Sequence, residues 1–150
     1  MDPTQVTALA IFLGLAAAWD VLERRIPNAL VLAGAIGAVA LNAASLAGFA
    51  RTAEGFLVGL GLLLVPFVLG WLGAGDAKFF AVVGAFLGPR VVCDAALLGV
   101  AWGGVFSAIL LWRRRTGRVA GPLATVPYAV PLALGAVAAL AFQWAGVPIL

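Results

Sequence analysis

The sequence ALVLAGAIGAVALNAASLAGF, residues 29–49, runs for 21 residues without a charged side chain. One membrane-spanning helix takes roughly 20 apolar residues, so this stretch predicts one crossing of a bilayer. The rest of the chain is similar: 65% of its 150 residues are hydrophobic and 10% are charged, whereas a soluble domain carries roughly 25% charged residues. A soluble domain of this size could not hide so much apolar surface from water, so the composition predicts an integral membrane protein.

Five further apolar stretches lie on either side of this one. The expected spans are residues 6–19, 29–49, 55–72, 77–87, 95–112 and 126–144. The predicted fold is therefore an all-α, polytopic membrane helix bundle of about six transmembrane helices. It forms one domain over residues 1–150 and leaves no room for a separate soluble domain. The fourth span is the weakest prediction because it is too short to cross a bilayer unaided.

The positive charges predict the orientation. The first, third and fifth loops hold Arg24, Arg25, Lys78 and the cluster within residues 113–118, whereas the second and fourth hold Arg51 and Arg90. The positive-inside rule places the more basic loops in the cytoplasm, so both termini are expected outside. The same rule explains the net charge of +3 without a nucleic-acid partner, and membrane lipid is the expected surrounding.

Several kinds of active site are excluded by composition. The chain has no histidine and one cysteine, Cys93. A Ser-His dyad, an HExxH metal site and a paired-cysteine zinc site are therefore impossible, and we expect no metal and no cofactor. Carboxylates are nearly the only remaining candidates for hydrolytic chemistry. The six acids are Asp2, Asp20, Glu23, Glu54, Asp76 and Asp94.

Asp20 and Asp76 are the most informative of these acids. Asp20 lies at the end of the first expected span and Asp76 just before the fourth, so both are expected at the cytoplasmic side, with Arg24 and Lys78 slightly beyond them. An ionisable group at this depth is costly unless it is paired or faces water, which makes it a functional candidate. The alternative is that each acid forms an ordinary interfacial ion pair with its neighbouring cation.

The segment Gly73-Ala74-Gly75-Asp76-Ala77-Lys78 is unusual for a membrane helix. Two glycines let the backbone turn sharply or approach a partner closely. In a membrane, such backbone is tolerated where it is buried in protein or lines a watery cavity.

Asp76 is expected near the N-terminal end of its helix and Asp20 near the C-terminal end of its own. Helix dipoles favour an anion at a helix N-terminus and disfavour one at a C-terminus, by about 0.3–1 kcal/mol each. We therefore expect Asp76 to hold the negative charge and Asp20 the proton.

Two segments resemble the type IV prepilin peptidases, which are membrane aspartyl proteases of the GxGD type. Asp20-Val21-Leu22-Glu23-Arg24-Arg25-Ile26-Pro27-Asn28 is similar to the first motif of that family, and Gly73-Ala74-Gly75-Asp76-Ala77-Lys78-Phe79 is similar to its GxGDxK motif. The run Pro127-Tyr128-Ala129-Val130 before the last span is also similar. In size and number of spans, the resemblance covers essentially the whole chain.

The resemblance implies that Asp20 and Asp76 are the catalytic pair. The residues expected to support them are Gly73, Gly75, Lys78, Arg24, Arg25, Pro27 and Asn28. The implied substrate is a pilin-like precursor, with its leader peptide and apolar helix. The family removes such leaders at the cytoplasmic face of the bacterial inner membrane.

One departure from the family pattern indicates which branch of the family the chain resembles. Larger members have a cytoplasmic domain with two CxxC pairs and also methylate the new N-terminus. This chain has a single cysteine and no such domain, so it resembles the small, peptidase-only branch associated with Flp/Tad pili. We expect neither a methyltransferase nor a zinc domain.

Two other functions compete with proteolysis. A small transporter would use Asp20 and Asp76 as proton or cation sites, and its acids are expected near the middle of the membrane. A non-catalytic subunit for pilus assembly would tolerate the isosteric loss of either acid.

Overall fold

In the computed structural model, which describes residues 1–42, 45–116, 128–147 and 149, the chain is all-helical, as predicted. The six helices of these residues are α1 (Pro3–Glu23), α2 (Asn28–Asn42), α3 (Leu46–Val68), α4 (Ala74–Leu87), α5 (Pro89–Arg115) and α6 (Ala129–Trp144). Three segments, Pro3–Glu23, Leu46–Val68 and Pro89–Ile109, are long and apolar enough to cross a membrane, and α2 and α6 are shorter apolar helices. The chain is therefore a helical membrane protein.

The uncharged run of residues 29–49 is not one helix. It holds all but the first residue of α2 and also the start of α3, which begins at Leu46. Ser45 is the N-cap of α3, and its side-chain oxygen accepts a hydrogen bond from the N–H of Gly48 at 3.0 Å. Arg51 and Glu54 consequently lie inside α3 rather than in a loop or at its edge. The prediction was wrong here because apolarity marks a span, whereas a capping side chain marks the helix end.

Helix α4 is the centre of the bundle. It packs against all five other helices, and every residue from Phe79 to Leu87 is buried. The ring of Phe12 in α1 stacks on Phe79 with centroids 5.4 Å apart. A helix of 14 residues rises only about 21 Å, less than the roughly 30 Å hydrocarbon core. The shortness that made this span a weak prediction is explained by its enclosure in protein.

Glycines allow two pairs of helices to cross closely. Gly55 of α3 lies against Gly84 of α4, and a Cβ atom on either one would overlap the carbonyl oxygen of the other. A Cβ on Gly59 would lie 2.6 Å from the carbonyl oxygen of Phe80. At the second crossing, a Cβ on Gly135 of α6 would overlap the backbone of Gly99 in α5. These contacts fix α4 on α3 and α6 on α5 at backbone distance.

Candidate active site

Asp20 is a buried carboxylate in the last turn of α1, with 7% of its surface exposed. Its Oδ2 atom accepts a hydrogen bond from the backbone N–H of Ala129 at 3.1 Å. Ala129 is the first residue of α6, so this bond joins residues 109 positions apart. A buried carboxylate is costly without hydrogen-bond donors, and the N-terminus of α6 supplies one.

Helix α1 ends immediately beyond Asp20. Arg24 adopts the left-handed conformation, with φ 56° and ψ 30°, and its N–H donates to the carbonyl oxygen of Asp20 at 3.0 Å. Such a conformation is a common helix C-cap but is uncommon for a residue other than glycine. The guanidinium of Arg24 is close enough to interact electrostatically with the Asp20 carboxylate. The supporting role of Arg24 stays a prediction.

Asp76 is held by its own helix start. It is the third residue of α4, and its Oδ2 atom accepts a hydrogen bond from the N–H of the N-cap residue Gly73 at 3.0 Å. A Cβ atom on Gly73 would lie 3.3 Å from the same oxygen. The absence of a side chain at Gly73 thus leaves room for the carboxylate.

The two motif glycines differ in their surroundings. Neither Gly73 nor Gly75 has a positive φ, and the left-handed glycine between α3 and α4 is Gly70, with φ 74°. A Cβ on Gly75 would meet Ile26 at an ordinary contact distance of 3.7 Å. The left-handed turn therefore lies at Gly70, before the motif, and the closer of the two contacts within the motif is at Gly73.

The two motifs contact each other. Ile26, which is buried, lies beside Gly75. The Lys78 Nζ atom donates to the Asn28 Oδ1 atom at 3.2 Å, across 50 positions of sequence. Together these contacts join the connection between α1 and α2 to the first turn of α4, which brings the two sequence motifs to one end of the bundle.

Two other predicted supports, Pro27 and Arg25, form a backbone hydrogen bond and an ion pair, respectively, with residues other than Asp20 and Asp76. Pro27 precedes α2, and its carbonyl oxygen accepts the N–H of Val31 at 3.2 Å. Arg25 forms an exposed ion pair with Glu23, with Nε and Oε2 3.1 Å apart. Pro27 thus starts a helix, whereas Arg25 contacts a neighbouring surface carboxylate.

The electrostatics of Asp76 link the two acids. Asp76 precedes the apolar segment of residues 77–87 and lies outside it. Burial raises the pKa of Asp76 to about 6, the N–H of Gly73 lowers the pKa, and the nearby charge of Asp20 raises it. Burial therefore acts against the helix-dipole argument that placed the anion at Asp76. Two carboxyl groups that influence each other titrate as a pair.

The arrangement provides a carboxyl group that is readily protonated and, at the same end of the bundle, a second carboxyl group whose charge raises the pKa of the first. Such a pair can activate a water molecule with one member and polarise a carbonyl group with the other. Among the residues that the structure describes, no group of three or more histidine, cysteine, aspartate or glutamate side chains is placed to hold a metal ion.

Sequence reasoning missed the backbone donor at Ala129. A backbone N–H leaves no side-chain signature, and the only signal was the resemblance of the run around Tyr128 to the family. Pro127, the first residue of that run, lies outside the described residues, as does Arg118 of the arginine cluster.

The comparison with known families agrees with this geometry. The sequence pattern of the type IV leader peptidase family matches residues 7–111. The matched segment contains Asp20, Asp76 and both motifs, whereas Ala129 lies beyond it. Neither a curated protein nor a solved structure matches the chain.

Proposed function

Because the chain belongs to the type IV leader peptidase family, we propose that it is an aspartic endopeptidase that removes the leader peptide from pilin-like precursors. The proposed catalytic pair is Asp20 and Asp76. The observation that best supports this pair is that two acids from separate motifs lie at one end of the bundle, close enough for the charge of Asp20 to raise the Asp76 pKa.

The proposed chemistry uses one proton shared by the pair. The ionised carboxylate takes a proton from water as the water oxygen attacks the scissile carbonyl carbon, and the protonated carboxyl donates a hydrogen bond to the carbonyl oxygen. The tetrahedral intermediate then collapses, the C–N bond breaks, and the leaving amine takes up a proton from the pair. The products are the leader's new carboxylate and the new N-terminus of the pilin.

The membrane face and the substrate branch are part of the same proposal. The positive-inside rule supports an active site that faces the cytoplasm from a multi-pass protein of the bacterial inner membrane. The single cysteine supports the peptidase-only branch and an Flp-type precursor. A precursor of this kind presents its leader junction beside an apolar helix, which suits a site at one end of a membrane bundle.

The experiment is co-expression with an Flp-type pilin precursor, followed by measurement of leader cleavage in isolated membranes. Asp20→Asn and Asp76→Asn should each lower the cleavage rate by about 10²–10⁴-fold, because each removes a general acid or base. Glu54→Gln is the matched control, since Glu54 is an exposed acid of α3. Continued cleavage by either well-expressed aspartate variant would overturn the dyad.

The same experiment separates the two rival functions. A non-catalytic assembly subunit predicts no cleavage even by the wild-type protein. A transporter predicts no cleavage and, in addition, proton or cation flux that depends on the two aspartates.

A further inference from the structure

We propose that an apolar groove between α3 and α5 receives the apolar helix of the precursor and directs its leader junction to the dyad. We call it the lateral groove. It has a volume of about 720 Å³, and its walls include Leu62 and Pro66 of α3, Val100 and Gly104 of α5, Trp71 and Tyr128. The inference rests on the proposed function and names the surface that this function needs.

The lateral groove ends beside the backbone segments that hold the two carboxylates. Leu72 and Tyr128 both line it. Leu72 immediately precedes Gly73, whose N–H holds Asp76, and Tyr128 immediately precedes Ala129, whose N–H holds Asp20. An occupant of the lateral groove is thus brought next to both backbone segments that position the carboxylates.

The lateral groove is long and apolar enough for a membrane helix. Helix α5 lines the lateral groove from Cys93 to Ser107, a rise of about 21 Å at 1.5 Å per residue. That is most of the roughly 30 Å hydrocarbon core, so the groove is long enough for several turns of a membrane helix. Its apolar walls suit a helix that leaves the bilayer at the dyad.

Small residues of α5 favour a helix over a lipid chain as the occupant of the lateral groove. Gly104 and Ser107 are small residues of α5 that line the lateral groove and remain accessible, whereas Gly99 and Gly103 are buried against α6. Small residues let the backbones of two membrane helices approach closely, whereas a flexible lipid chain has no need of them. The combination of this surface with a groove that ends at the dyad favours a helical occupant.

Gly104 is a suitable position for a substitution that fills the lateral groove. A Cβ atom added to Gly104 would meet nothing within 4 Å, so the fold leaves open space where a side chain would begin. Gly61 of α3 also has open space around its Cβ position and does not line the groove. Gly104→Leu and Gly61→Leu therefore form a matched pair of the same chemistry in two membrane-spanning helices.

The experiment measures cleavage of the full precursor in membranes that contain each variant. Gly104→Leu should lower the rate at least tenfold, whereas Gly61→Leu should leave it within twofold of wild type. Val100→Trp, which also fills the groove, should repeat the loss. Its control is Val65→Trp, because Val100 and Val65 have similar exposures of 66% and 64% and only Val100 lines the groove.

A second readout identifies the occupant. A photo-crosslinking side chain at position 104, in the Asp76→Asn background, should capture the uncut precursor through its apolar helix, and the same side chain at position 61 should not. Capture of lipid alone at position 104 would overturn the inference. So would wild-type cleavage by Gly104→Leu or Val100→Trp.

The two proposals fail in distinguishable ways. If the wild-type protein leaves the precursor uncut, the proposed function fails and the lateral groove loses its occupant with it. If the wild-type protein cuts the precursor but filling the groove changes nothing, only the groove assignment fails.

Discussion

Asp20 and Asp76 lie at the same end of the bundle, but the fold holds them in opposite ways. Asp20 is 7% exposed and takes its N–H donor from α6, 109 positions away. Asp76 is more exposed and takes its donor from Gly73, three positions before it. One carboxylate is therefore placed by tertiary packing, and the other by the local start of a helix.

This difference predicts which substitutions affect the position of each carboxylate. The donor to Asp20 stays in place only while α6 is packed against the rest of the bundle, and α6 is fixed to α5 by the close crossing at Gly135. The donor to Asp76 is in place once α4 begins. Remote packing changes should act through Asp20, and local backbone changes should act through Asp76.

Among changes outside the two aspartates, the largest effect should come from breaking the crossing of α5 and α6. A Cβ atom on Gly135 would overlap the backbone of Ala95 and Gly99, which cannot move aside as a flexible side chain would. Gly135→Leu should displace α6 and lower leader cleavage roughly 10²-fold, since a shift of about 1 Å at a reacting group can cost that much. The measurement is the cleavage rate per folded protein in membranes.

The control for this change is Gly14→Leu, because a Cβ on Gly14 of α1 meets nothing within 4 Å. That variant should keep the wild-type rate. A folded Gly135→Leu protein that cleaves normally would show that the position of Asp20 does not depend on α6.

Sequence analysis predicted the fold better than the helix ends. Composition and apolar stretches were sufficient for the all-helical membrane class because they report burial in lipid. The division of residues 29–49 between two helices was missed, although Ser45 carried a local capping signal. An uninterrupted apolar run dominates such a signal when the sequence is divided by hydrophobicity alone.

The candidate site was predictable to the extent that it is local. The GxGD segment encodes both Asp76 and its donor Gly73, so the motif contains its own support. Asp20 could be singled out by depth and charge, but its donor Ala129 is a backbone group supplied by the packing of a distant helix. The resemblance implied the same supporting role for Lys78 and Arg25, which stays a prediction, but their contacts differ: Lys78 bonds to Asn28 and Arg25 to Glu23.

A smaller effect should follow from removing the local donor to Asp76. Gly73 has φ −77°, close to the φ that proline requires, so Gly73→Pro removes the N–H at a conformation that proline accepts. The N–H stabilises the carboxylate and lowers the Asp76 pKa, so its loss should raise that pKa. The pH profile of kcat/KM should shift upward by about 0.5–1 pH unit.

Gly73→Ala separates the donor from the added side chain. It introduces the same Cβ atom, 3.3 Å from Asp76 Oδ2, but keeps the N–H. Its pH profile should therefore stay closer to that of the wild type. An equal shift in both variants would assign the effect to crowding rather than to the lost hydrogen bond.

The smallest effects should come from substitution of the two cations Lys78 and Arg25, which separate a tertiary contact from an exposed one. Lys78 forms a hydrogen bond with Asn28, which connects the start of α4 to α2. Arg25 instead forms an exposed ion pair with Glu23, and the two side chains are 78% and 46% exposed. A typical hydrogen bond contributes about 0.5–1.5 kcal/mol and an exposed ion pair about 1 kcal/mol or less. Lys78→Met should lower cleavage about threefold to tenfold, and Arg25→Met should stay within twofold.

Both substitutions remove one positive charge from the same end of the bundle, so their difference isolates the bond from the charge. Asn28→Ala should reproduce the loss seen in Lys78→Met, and the double variant should be no worse than either single one, because both changes break the same contact. Equal losses in Lys78→Met and Arg25→Met would mean that positive charge alone supports the dyad. In that case Asp76, which is held locally, and Asp20, which is held by tertiary packing, would be coupled through the electrostatic field rather than through the contact between Lys78 and Asn28.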